Sequence, residues 1–276
     1  MKTEGIGLLA LNCFISTAIA GSVGEIGPSS PAMGGFFLGV GAAYEDLRVK
    51  SNASATLDAV SGFPPLGVFT GARTADSDSD DRIVPQFQAG YFRSFSENGW
   101  LWGLEFVYQP SRLKTTGKAA SVHFVNALEN VSNELLVDGF QTKMDQQFLL
   151  PVLIGHSFRN SFLYAGIGPS WQKAEHTVYG SSDTLSGYYI GNLKGFSREK
   201  WLWGGAVQAG MAYYLNPAWF LMANYTYSRT EKFRVNHSLA FTPEINQGLN
   251  GGFVAFNSSL RLSTQSVSLS INRVFG

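Results

Sequence analysis

From Trp100 to Gln109 the chain reads Trp-Leu-Trp-Gly-Leu-Glu-Phe-Val-Tyr-Gln, and its two alternating sets of residues have opposite chemistry. Trp100, Trp102, Leu104, Phe106 and Tyr108 make one set; Leu101, Gly103, Glu105, Val107 and Gln109 make the other. Successive side chains of a strand point to opposite faces, so this segment predicts a strand with one bulky apolar face and one face carrying Glu and Gln. The apolar face begins and ends on aromatic residues that bear a polar N–H or O–H, the side chains that settle where hydrocarbon meets headgroups. A strand of about 9–11 residues with these properties is long enough to cross a bilayer when tilted.

The pattern recurs along the chain. Expected strands cover about 35–50, 83–95, 100–114, 141–157, 162–175, 200–215, 218–233 and the stretch ending at Phe275. Ser96-Glu97-Asn98-Gly99, Arg159-Asn160-Ser161 and Asn216-Pro217 read as tight turns, Asn-Gly between alternating segments being the strongest short hairpin signal. The connections at 51–82, 115–138, 176–199 and 234–255 are long, and the second is expected to hold a short helix around Val122 to Leu136. Eight strands joined by alternating short turns and long loops predict an all-β fold: an eight-stranded antiparallel up-and-down transmembrane β-barrel with short periplasmic turns and four long extracellular loops. Pro151 counts against an uninterrupted fourth strand, because proline cannot donate to the ladder.

Before the barrel, Met1 to Ala20 carries Lys2, an apolar run and the small-residue pattern Ala18-Ile19-Ala20, and reads as a secretory signal. Residues 21–34 read as an irregular lead-in and 35–276 as the barrel. The one cysteine, Cys13, falls in the signal, so no disulfide framework or cysteine-ligated metal is expected in the barrel. After residue 20 no run of apolar residues is long enough for a spanning helix, which leaves a closed barrel as the way to cross a membrane. The 20 basic and 20 acidic side chains balance, so nothing draws the chain to nucleic acid.

Gly-Phe-Phe-Leu-Gly-Val-Gly-Ala at 35–42, Leu-Tyr-Ala-Gly-Ile-Gly-Pro at 163–169, Gln-Ala-Gly-Met-Ala-Tyr-Tyr-Leu at 208–215 and the alternating end Val267 to Phe275 resemble the small eight-stranded outer-membrane barrels of Gram-negative bacteria. That family includes the transmembrane domain of outer-membrane protein A and outer-membrane protein W. The resemblance implies residence in the outer membrane, with its lipid, lipopolysaccharide and the barrel-assembly machinery as partners. It also implies that Phe275 serves as the terminal aromatic read during assembly, although here Gly276 follows it.

Strand parity places Glu45, Gln88, Glu105, Gln109, Asp145, Gln147, Gln172, Gln208, Asn224, Thr226, Ser266, Ser268, Ser270 and Asn272 in the interior. These form either a hydrogen-bonded plug or the lining of a narrow path favouring cations. Trp100, Trp102, Tyr108, Trp171, Trp203 and Trp219 are expected in aromatic belts. His123, His176 and His237 are assigned to the long loops or their margins and His156 to the turn end, an arrangement that supplies no nucleophile–base pair. The acidic run Asp76 to Asp81 reads as a solvated loop tip. No enzymatic site, cofactor or metal is expected. The expected role is that of a surface protein whose loops serve adhesion, contact with host surface molecules or envelope structure; the alternative is a narrow channel for ions, small solutes or hydrophobic compounds.

Overall fold

The computed structural model describes residues 34–61, 68–74, 78–95, 98–117, 120–126, 131–137, 140–179, 181–185, 188–193, 195–241 and 249–275. The expected signal, Cys13 and Gly276 lie outside them. The barrel strands are β1 (Gly34–Ser61), β2 (Asp78–Ser94), β3 (Trp100–Gln109), β4 in two pieces (Phe140–Leu149 and Val152–Phe158), β5 (Ser161–Val178), β6 (Phe196–Asn216), β7 (Trp219–Thr230) and β8 (Leu249–Phe275). Each pairs antiparallel with its neighbour in sequence, and β1 pairs with β8 from Phe36↔Phe275 onward, which closes the ring. Closure leaves no unpaired sheet edge around the wall.

The short turns fall where the sequence puts them. Gly99 has φ +84°, the left-handed conformation that glycine adopts freely, and a Cβ there would lie 2.9 Å from Ser157 Oγ. At the Asn216-Pro217 turn, Asn216 Oδ1 accepts from the backbone N–H of Ala218 at 2.9 Å and of Trp219 at 3.0 Å. This side-chain capping fixes the start of β7.

Pro151 interrupts β4 without breaking the wall. Glu105 N donates to Pro151 O at 3.0 Å and Leu150 N donates to Pro169 O at 3.1 Å, so the gap keeps one carbonyl bonded to β3 and one N–H bonded to β5. The third strand is shorter than expected, ending at Gln109 and turning a corner at Arg112 (φ 50°) before Leu113–Gly117 resumes against β4.

Four expectations are corrected. Residues 51–61 and 68–74, assigned to the long loop 51–82, continue β1 to Ser61 and fold back as Val68–Thr74 in register with it. The region expected to hold a helix instead contains strands Ala120–Asn126 and Val131–Val137, since Val122, Phe124, Val125, Val131 and Val137 are residue types that favour a pleated sheet. The acidic run, of which Asp76 and Ser77 lie outside the described residues, is not a free tip over Asp78–Asp81: these open β2, where Asp81 accepts from Tyr44 and Asp80 from the backbone of Lys114. Asp145 is not among the fully buried residues, because a bulge opposite Lys173/Ala174 takes it out of the alternation and buries Met144 instead.

The interior is layered. At the turn end Phe37, Phe92, Leu101, Leu153, Phe162, Tyr214, Phe220 and Met222 form an apolar plug. Toward the loop end Leu47, Val49, Leu113, Met144, Leu202, Phe233, Val235, Leu260 and Leu262 form a second. Polar side chains occupy the layer between.

Candidate functional site

All eight strands put large exposed hydrophobic side chains on the outer face: Phe36, Leu38, Val40, Ile83, Phe87, Leu104, Phe106, Val152, Ile154, Leu163, Ile167, Val207, Tyr225, Leu269 and Ile271. A continuous apolar wall of this extent cannot face water around a whole molecule. Trp100, Trp102 and Trp219 border it at the turn end. At the other border Tyr108 stacks on Phe148 (4.8 Å between ring centroids), Phe148 on Trp201 (5.5 Å), and Trp171 meets Trp203 edge-on (4.9 Å). The fold is an eight-stranded transmembrane β-barrel. Trp201, exposed on the same parity as Trp203, stands beside the aromatics expected at this border.

The barrel's interior polar layer is built from amides. Gln109 Nε2 donates to Gln86 Oε1 (2.8 Å), Gln86 Nε2 to Gln88 Oε1 (2.6 Å), Gln88 Nε2 to Asn272 Oδ1 (2.6 Å) and Asn272 Nδ2 to Ser270 Oγ (3.1 Å). This chain runs across β3, β2 and β8. A second network joins β4, β5, β7 and β8: Gln172 Nε2 donates to Gln147 Oε1 (3.1 Å) and Ser228 Oγ (2.7 Å), and Thr264 Oγ1 donates to Gln147 Oε1 (3.2 Å). An amide both donates and accepts, so amides link into chains where a set of carboxylates could not, although Gln109 Oε1, Gln147 Nε2 and Gln172 Oε1 are buried without a partner among the described residues.

Glu105 is fully buried and accepts from Gln208 Nε2 at 2.8 Å. Tyr164 and Asn224 lie next to this pair, both within 2.5 Å of the position a Cβ on Gly210 would take. Glu45 is buried separately, beside Ser111. Thus Glu105, Gln208 and Asn224 come together, Gln88 and Asn272 bond directly, and Gln147 joins Gln172. Neither carboxylate meets the other.

His176, expected in or beside a long loop, is instead part of the wall. It lies in β5, only 1 % exposed, with Nδ1 3.1 Å from Thr142 Oγ1, Nε2 3.5 Å from Ser258 Oγ and its ring stacked on Phe140. A serine beside a histidine invites an acyl-transfer reading, but the group orienting this imidazole is a hydroxyl, and 3.5 Å is long for a hydrogen bond. The adjacent carboxylate, Glu175, points to the opposite face of β5, where it bonds Ser197 (2.7 Å) and Lys143 (3.2 Å). The parity that separates neighbours in a strand keeps Glu175 and His176 apart. His176 sits beyond the loop-side belt, and burial lowers its pKa from 6.5 to about 4. The unfolded chain therefore binds a proton below pH 6.5 that the folded chain refuses until about pH 4. Stability present above pH 6.5 is lost as the pH falls through that window, by up to about 3 kcal/mol. Urea unfolding midpoints at pH 7 and 4.5 should show the loss in the wild type and a smaller one in His176→Gln.

No family model matches the chain, and no curated protein matches it. Solved structures similar to it include Neisserial surface protein A at 14% identity, covering 87% of this chain and 97% of that one with a TM-score of 0.34. The outer membrane protease OmpT from Escherichia coli is 11% identical over 90% of this chain and 99% of its own, with a TM-score of 0.40. Ail, the attachment invasion locus protein of Yersinia pestis, is 12% identical over 82% and 98%, with a TM-score of 0.30.

Proposed function

We propose that the chain is an outer-membrane surface protein: a closed barrel that carries a stiff β-rich crown for adhesion or contact with molecules outside the cell. The observation that carries this is the length of the strands. A crossing needs about 9–11 residues, whereas β1 has 28 and β8 has 27. Beyond the loop-side belt the two remain paired as far as Ser61↔Leu249, with Val68–Thr74 on one side and Phe233–Phe241 on the other. The second and third loops also pair with each other, Ser181–Leu185 against Val131–Val137, in a four-stranded sheet. Ordered backbone outside the bilayer costs conformational entropy that insertion does not require, and a presented surface accounts for it.

The channel alternative has less support. Glu45 and Glu105, which would line its path, are enclosed between the aromatic plug and the aliphatic one. Planar-bilayer recordings on the refolded chain are expected to show no stepwise conductance, and steady unitary currents would overturn the closed-lumen reading. Beads coated with the barrel should bind epithelial cells, and replacing residues 118–139 and 180–195 by tight turns should abolish binding while heat-modifiable migration persists. Undiminished binding by that variant would overturn the crown's role.

A further inference from the structure

A groove on the outer wall is aligned along the inter-strand hydrogen-bond direction. Trp219 pairs with Arg273, Arg273 with Leu38, Leu38 with Ala89, and Ala89 with Phe106, so five strands contribute one residue each to a single row. Ala89 is the small member of the row, flanked on its own strand by Phe87 and Tyr91. It lines a depression of about 450 Å3 together with Leu38, Val40, Phe87, Phe106 and Ile271. The opposite end of the row lies two residues from the Asn216-Pro217 turn and three from the chain end, at the turn-side rim.

At that rim stands Arg273. Its guanidinium carbon lies 5.8 Å from the Trp219 ring and 5.3 Å from the Phe275 ring, which hold it on the outer surface. No carboxylate among the described residues forms an ion pair with it. An arginine on a lipid-facing wall without an acid, at headgroup depth, calls for an anionic oxygen, and its planar fork matches phosphate.

The dimensions agree with a lipid. Four strand-to-strand steps of about 4.8 Å, inclined by the roughly 40° tilt of such barrels, rise about 12 Å, which is half of an apolar band about 25 Å tall. The row thus runs from one interface to the bilayer midplane, the span of one leaflet. We propose that this groove binds one glycerophospholipid of the turn-side leaflet, its phosphate on Arg273 and one acyl chain laid over Leu38 and Ala89 to Phe106. Lipopolysaccharide belongs to the other leaflet and does not reach this rim.

The test is native mass spectrometry of the full chain refolded in detergent and titrated with dioleoyl phosphatidylglycerol, with heat-modifiable migration confirming the fold of each variant. One lipid adduct is expected on the wild type. Arg273→Gln should lower its occupancy about tenfold, as loss of one charge-assisted contact does. Ala89→Phe, which fills the depression, should remove it. Arg93→Gln, a cation at the same end but outside the groove, should leave it unchanged, and dioleoylglycerol, which lacks phosphate, should bind as poorly to the wild type as phosphatidylglycerol does to Arg273→Gln. No wild-type adduct, equal adducts on all variants, or equal losses at Arg93 and Arg273 would each overturn the site. Arg273→Gln alone suffices to decide should Ala89→Phe fail to fold.

Discussion

Phe220→Ala is expected to lower the unfolding free energy by about 3–5 kcal/mol, the range for removing a large aromatic from a packed interior. Phe220 is fully buried and stands in the middle of the turn-end plug, with ring centroids 5.4 Å from Phe37, 5.9 Å from Phe92, 6.3 Å from Phe162 and 5.4 Å from Tyr214. The Phe92 contact is edge-to-face at 87°, the geometry in which a ring's positive edge meets another's negative face. These neighbours come from β1, β2, β5 and β6, so the wall strands cannot collapse onto the gap without leaving their ladder register. Urea unfolding in detergent micelles, followed by tryptophan fluorescence, measures the effect. Phe220→Leu, which retains most of the volume, should cost less than half as much. Equal effects of the two substitutions would mean that the plug is loosely packed.

That plug also marks where sequence reading stopped short. The alternation that revealed the wall is a property of outward residues, and Phe36, Leu38, Val40, Leu104, Phe106, Leu269 and Ile271 all face out as parity requires. The inward set was legible to the same degree: Glu45, Gln88, Glu105, Gln147, Gln208, Asn224 and Asn272 are all buried. Parity says which face a residue is on and nothing about which inward residues meet across the lumen. The Glu105–Gln208 bond joins residues 103 apart in sequence, and Gln88–Asn272 residues 184 apart. Such pairs depend on shear, which no single strand encodes. The plug did leave a trace. Phe37, Phe92, Phe162, Tyr214 and Phe220 each lie within a few inward positions of a strand's turn-side end, where aromatics were credited to the belts alone.

The misreadings beyond the loop-side belt have one cause. Outside the bilayer neither face of a strand meets lipid, so the contrast that identifies a strand by alternation fades. Residues 51–61 set small Ala53, Ala55 and Ala59 against Ser54, Thr56 and Asp58, a contrast without the bulk of a lipid-facing row, and still pair with β8. The sheet propagates there because a ladder already registered in the membrane extends at little further cost in alignment. His176 was misplaced for the same reason: β5 continues to Val178, three residues past the expected end at Glu175.

Leu104→Arg tests the faces themselves. Leu104 is exposed on the outer wall and pairs with Tyr91 on β2 and Val152 on β4, between the turn-side Trp102 and the loop-side Tyr108. An arginine at this depth is expected to cost about 2–4 kcal/mol, because its guanidinium must be dragged to an interface or drag water in. Its sequence neighbour gives the contrast. Glu105→Gln removes a charge from the interior, keeps an oxygen for Gln208 to donate to, and adds an amide donor near Tyr164 and Asn224. Exchanging a buried carboxylate for an amide of the same shape removes a desolvation cost, so stability should be held or raised. Refolding yield into lipid vesicles and urea midpoints of the two variants should therefore differ by more than about 2 kcal/mol in stability. If the two behave alike, the wall does not face lipid at Leu104.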